Sequence, residues 1–164
     1  SGIGSPSVVG TTSSGSNSLG NSLVFDGTTN YVDYGTANVP TTEFTFLWGG
    51  SFTSLDNFRG LIDCISGGNG WTVFQVGPDT LYFSYNGYSG VTATSGWTAG
   101  TVWNGAVRWK AGVEHAWFRN GTKLSTSVPV GTIATSIGSL RIGWQRGSGS
   151  VGLKGARNYA DLID

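Results

Sequence analysis

The chain has 164 residues, including 28 Gly, no Met, and seven Trp, six Tyr and eight Phe; one domain of this length buries roughly two thirds of its unfolded surface. Nine Lys and Arg balance nine Asp and Glu to a net charge of zero without any block of like charge, which excludes the basic footprint of a nucleic-acid or anionic-membrane binder. The lone cysteine, Cys64, excludes an intramolecular disulfide and a Cys/His zinc cluster, and no run approaches the ~18 apolar residues of a membrane helix.

Residues 1–20, SGIGSPSVVGTTSSGSNSLG, are rich in Gly, Ser and Thr and lack periodicity. They predict a flexible N-terminal arm and carry neither the charged nor the apolar region of an export signal. A single β-sandwich domain is expected over residues 21–164.

From Leu23 the hydrophobic period is two. SLVFDG and YVDYG read as short strands about the turn Asp26-Gly27-Thr28-Thr29-Asn30. EFTFLWGGSF places Phe44, Phe46 and Trp48 on one face and Thr45 and Leu47 on the other. LIDCIS holds Cys64 as a small buried hydrophobe, and WTVFQV and LYFSY form a hairpin about Gly77-Pro78-Asp79-Thr80. Asn86-Gly87 turns the chain into YSGVTATSGW.

GAVRWK, VEHAWFR and TKLSTSV make a meander whose second turn is Asn120-Gly121, a pair suited to the two positive φ angles of a type I′ turn. In its middle strand Val113, His115 and Trp117 share one face, and Glu114, Ala116 and Phe118 the other. SLRIGWQ, a glycine-rich loop and the closing LKGARNYADLID complete ten or eleven strands. Their 8–12-residue spacing is that of an all-β, two-sheet antiparallel sandwich.

The order LVFDGTTNYVDYG, EFTFLWGGSF, Trp103 with GAVRW, AWFRNGTKL, LRIG and GLKGARNYA resembles the laminin-G-like branch of the concanavalin-A-like jelly rolls, over about residues 21–160. The resemblance implies a jelly-roll sandwich with Trp48, Trp103, Trp109 and Trp117 in its core. This superfamily hosts lectins, glycosidases, adhesion domains and viral structural proteins, so the fold alone does not choose a function. One departure is Lys154 in Gly152-Leu153-Lys154-Gly155, where the family commonly has a carboxylate; it weakens any inference of calcium there.

Catalytic chemistry is poorly supplied. Glycosidases on such sandwiches use closely placed carboxylate pairs, whereas Glu43 and Glu114 are far apart in sequence. Glu114 and His115 point to opposite faces of a strand and share no proton, and His115 lacks a nucleophile partner. Asp26 is read as a turn residue. Calcium held by backbone carbonyls with Asp26, Asp33 or Asp63 stays open but is not supported, because no D-x-D-x-D-G loop exists; no cofactor is expected.

The aromatics are the remaining lead, since sugar rings stack on Trp and Tyr. Tyr85, Tyr88, Trp97 and Trp144, beside Gly/Ser/Asn turns, are candidate carbohydrate or partner contacts, the alternative being that they cap the sandwich or form a subunit contact. The favoured function is a non-enzymatic virion accessory protein, such as a capsid decoration, head-fibre or tail-fibre component of a tailed phage, with a lectin-like fold open to glycans. A secreted carbohydrate-binding or adhesion module, hence extracellular, is the alternative, and a glycoside hydrolase or lyase ranks third. The expected partners are a protein lattice such as a capsid, or surface glycans. Surplus aromatics and low charge point to a symmetric homo-oligomer, with a trimer the first form to test.

Overall fold

The structure, a computed structural model, describes residues 7–9, 13–17, 20–26, 29–36, 39–52, 59–86, 90–129, 131–135, 137–143 and 154–163. Among them the elements are all strands. They run β1 (Ser7–Val9), β2 (Ser13–Asn17), β3 (Gly20–Asp26), β4 (Tyr31–Asp33), β5 (Glu43–Ser51), β6 (Arg59–Asp63) and β7 (Trp71–Gln75). They continue with β8 (Leu81–Tyr85), β9 (Gly90–Thr94), β10 (Val102–Lys110), β11 (Glu114–Arg119), β12 (Thr122–Ser127), β13 (Arg141–Ile142) and β14 (Lys154–Ile163).

Antiparallel pairing gathers them into two seven-stranded sheets, ordered β1-β4-β13-β6-β7-β8-β9 and β12-β11-β10-β5-β14-β3-β2. The all-β, two-sheet antiparallel jelly roll of the sequence reading is the observed architecture. The meander is present as β10-β11-β12, and its Asn120-Gly121 turn holds φ of 49° and 80°, the left-handed pair that a type I′ turn requires. The hairpin about residues 77–80 joins β7 to β8 as expected.

Within the segment read as an N-terminal arm, residues 1–20, two described stretches are strands. Ser7–Val9 pairs with β4, and Ser13–Asn17 with β3. An exposed sheet edge recruits extended backbone through its unpaired N–H and C=O groups, whatever the side chains.

The core follows from the period of two. Phe44, Phe46 and Trp48 of β5, Val107 and Trp109 of β10, and His115 and Trp117 of β11 point inward and are buried. They meet Trp71, Val73, Leu81 and Phe83 from the facing sheet. Phe44 stacks on Trp71 at a 4.4 Å centroid distance, and Phe83 approaches Trp109 at 5.4 Å and His115 at 4.8 Å. Such pairs contribute about 0.5–1.5 kcal/mol each beyond their area burial.

Cys64 packs as a small buried residue, its thiol donating to the Trp71 carbonyl at 3.2 Å. Trp103, which the resemblance places in the core, is only half-buried.

Where β10 crosses β5, Gly105 is registered with Trp48, and a Cβ there would overlap the six-membered ring of that indole. The glycine is therefore required by close approach. Gly105→Ala is expected to lower stability by about 1–3 kcal/mol, the range for overpacking a filled core. Urea unfolding measures this, and an unchanged midpoint would refute the packing account.

Candidate functional site

The core's inner faces dictate what the opposite side of β5, β10 and β11 presents. With Phe44, Phe46 and Trp48 turned inward, Thr45 and Leu47 turn outward. With Val107 and Trp109 inward, Asn104, Ala106 and Arg108 turn outward, and Phe118 does the same beside Trp117. These outward residues, with Gly105 and Gly121, line an open groove of about 330 Å³ on the face of the β12-β11-β10-β5 sheet. Its floor is apolar, formed by Leu47, Ala106 and Phe118, and Arg108 is the one charged residue among those that line it.

The turn beside the groove is cross-braced. The Asn104 amide donates to Asn120 Oδ1 at 2.9 Å, and the Asn120 amide donates back to the Asn104 carbonyl at 2.6 Å. This reciprocal pair holds the β11–β12 turn against β10, so Gly121 keeps its place at the groove.

Strand register assembles a charged group next to the groove that lies scattered in the sequence. Lys110 is opposite Glu43 on one side and Glu114 on the other. Lys110 Nζ lies 2.9 Å from Glu43, and Lys123 Nζ 2.5 Å from Glu114. Arg108 reaches both carboxylates at longer range, 3.7 Å to Glu43 and 3.3 Å to Glu114. The hydrogen bond from Lys110 holds the Glu43 carboxyl below its ordinary range, and that from Lys123 does the same for Glu114. Both carboxylates are thereby kept ionised, the reverse of what a general acid needs.

The expected contacts divide differently. Trp97 is fully buried, which corrects its expected place at the surface. Its ring packs 5.6 Å from Trp48 and 5.8 Å from Trp103, with the Arg119 guanidinium 5.5 Å away. Arg119 donates to the carbonyls of Ser95 at 3.0 Å and Gly96 at 2.7 Å, drawing the 95–98 segment down over the end of the sandwich. Tyr85 is half-buried against Trp109 at 4.6 Å and Phe83 at 6.1 Å, and belongs to the core's margin. Tyr88 and Trp144 lie outside the described residues.

The carboxylates considered for calcium are engaged otherwise. Asp26 accepts hydrogen bonds from the Thr29 amide at 2.8 Å and the Thr29 hydroxyl at 2.6 Å, the turn role read from sequence. Asp33 accepts from the Gly35 amide and pairs with Arg141 Nε at 2.9 Å. Asp63 is buried and accepts from the Ile65 amide. Among the described residues no group of three or more His, Cys, Asp or Glu side chains could hold an ion.

Thr45, Leu47, Asn104, Ala106, Arg108 and Phe118 were not singled out by sequence reasoning. The outward alternation of Thr45 with Leu47 and of Ala116 with Phe118 was the signal available. That these strands lie side by side was the missing information.

No family model matches the sequence, and no curated protein matches it. Solved structures similar in fold include a binding domain of botulinum neurotoxin DC in complex with SialylT. That match has a TM-score of 0.72 at 9% identity, over 97% of this chain and 42% of that one. The receptor-binding domain of botulinum neurotoxin type G matches with a TM-score of 0.68 at 9% identity over the same shares. A botulinum neurotoxin type C structure, concerned with cell entry through two ganglioside molecules, matches with a TM-score of 0.69 at 9% identity, again over 97% and 42%. The likeness is one of fold, and the chain spans less than half the length of these neighbours.

His115 gives the sandwich a pH dependence. Its imidazole is buried among Phe83, Trp109 and Trp117. Burial pushes its pKa down to about 4, against a smaller opposing pull from Glu114. The unfolded chain protonates near 6.5, so it binds a proton that the native state refuses between those values, and stability falls as pH drops through the window. Stability at pH 5 is expected to lie about 2 kcal/mol below that at pH 7. Glu43 and Glu114 add their losses only at lower pH. Urea midpoints at the two pH values measure the effect, and His115→Phe should flatten it.

Proposed function

We propose that the chain is a non-enzymatic carbohydrate-binding module whose glycan site is the groove on the outer face of β5, β10 and β11, and that it serves as an accessory surface protein of a tailed-phage virion. One observation carries the first part: an apolar floor of Leu47, Ala106 and Phe118 lies within reach of polar and charged groups on a rigid sheet. A sugar ring needs that combination, an apolar surface for its C–H face and hydrogen-bonding groups at its rim. The neighbours add support, since one toxin binding domain is in complex with SialylT and another toxin's cell entry depends on ganglioside.

The non-enzymatic part rests on Glu43 and Glu114. Each is ion-paired to a lysine and to Arg108 and held ionised, so neither is poised as the acid that glycoside hydrolysis requires. The virion part, as a capsid decoration or a head- or tail-fibre component, rests on the resemblance and on a neutral, sparsely charged chain suited to lattice attachment or homo-oligomer formation. A secreted adhesion module would use the same groove. Finding the native protein in purified particles rather than in culture supernatant decides between the two settings.

A glycan array followed by calorimetry tests the site. Phe118→Ala is expected to weaken glycan binding by roughly tenfold, about 1.4 kcal/mol, with little change in melting temperature because the side chain lies on the outer face. Absence of any bound glycan, or full affinity in Phe118→Ala, would overturn the site. Polysaccharide cleavage abolished by Glu43→Gln or Glu114→Gln would overturn the non-enzymatic reading.

A further inference from the structure

The charged group beside the groove is unevenly matched. Glu43 has its short contact with Lys110, and Glu114 has its short contact with Lys123, at 2.9 and 2.5 Å. Arg108 makes only the longer ones, 3.7 and 3.3 Å, to carboxylates that already have a nearer cation. Three cations thus face two carboxylates among the described side chains, and the surplus charge falls on Arg108. Arg108 is also the one member of the group that lines the groove. A further carboxylate-bearing position, Asp161 of β14, is registered with Leu47 of the groove floor, one row along the sheet from Arg108, which is registered with Thr45 of β5.

A planar guanidinium that shares its two carboxylates with nearer lysines, beside an apolar floor, can receive a carboxylate carried on a body with an apolar face. We propose that the groove takes an acidic sugar, a sialic or uronic acid residue, with its ring over Leu47, Ala106 and Phe118 and its carboxylate paired to Arg108. This deepens the glycan reading and rests on it. Glu43 and Glu114 set the selectivity: they hold the guanidinium at the groove without neutralising it, because their own lysines satisfy them first. Lys110 and Lys123 are therefore positioning residues for Arg108 and do not themselves line the groove.

The test is an array of sialylated and uronate-containing oligosaccharides, each printed beside its methyl ester, which keeps the sugar and removes the charge. The acids are expected to bind roughly tenfold or more tightly than their esters, as a charge-assisted pair requires, with the preference shrinking as salt rises. Arg108→Gln should reduce acid binding to the ester level, and Arg108→Lys should keep part of the preference. Lys110→Gln, outside the groove, should also lower it by handing Glu43 to Arg108; this variant carries the test should Arg108→Gln fail to fold. Equal binding of acid and ester would overturn the acidic-sugar assignment while leaving the glycan site standing. An acid preference that survives in folded Arg108→Gln would overturn it as well. Binding of no glycan of either kind would overturn the glycan reading itself and this assignment with it.

Discussion

The aromatic layer between the two sheets is the constraint on which the rest of the molecule depends. Phe44 against Trp71, and Phe83 against Trp109 and His115, lock β5, β10 and β11 to β7 and β8. Because side chains alternate along a strand, committing these rings to the interior leaves no freedom in what the outer face shows. Slipping β10 by one residue would bring Arg108 inward and Trp109 outward, so the core's register and the groove's composition are one decision. Gly105 belongs to both, since it makes room for Trp48 on the inner side and lines the groove on the outer side.

Charge acts here as an organiser more than as a source of stability. The ion pairs of Arg108, Lys110 and Lys123 with Glu43 and Glu114 are largely exposed, and such pairs contribute little to folding, typically about 0–1 kcal/mol. Their consequence is positional. They gather charges from β5, β10, β11 and β12 onto one patch and hold the carboxylates ionised. A part-buried pair, Arg141 with Asp33, with the Tyr31 ring 4.9 Å from the guanidinium, lies on the opposite sheet and ties β13 to β4.

What could be read from the sequence follows the range over which each feature is determined. The strands from Leu23 onward, the inner and outer faces of β5 and β10, and the Asn120-Gly121 turn depend on neighbours within a few residues and were legible, whereas the pairing of Ser7–Val9 and Ser13–Asn17 was not. The role of Asp26 was legible for the same reason, since its bonds run to Thr29 and Asn30. The meeting of Glu43 and Glu114 at Arg108 was not, because it needs three strands aligned across some 70 residues of chain. Trp97 and Trp103 show the same limit from the other side. A turn-flanked Trp97 reads as exposed, yet Arg119, reaching from β11 to the Ser95 and Gly96 carbonyls, pulls that turn over the core and leaves Trp103 at the rim.

A sheet face is also a favourable place for recognition. Loops offer reach but must lose conformational freedom when they close on a ligand, which subtracts from affinity. The groove's floor is instead held by the hydrogen-bonded ladders of β5, β10 and β11 and backed by packed indoles, and the nearest turn is cross-braced by the Asn104 and Asn120 bonds. A ligand settling there orders little beyond itself and the Arg108 side chain. On the proposed reading, such a groove would bind without a lid or an induced change, and the strength of that binding would rest on how well one guanidinium and one aromatic edge match the ligand.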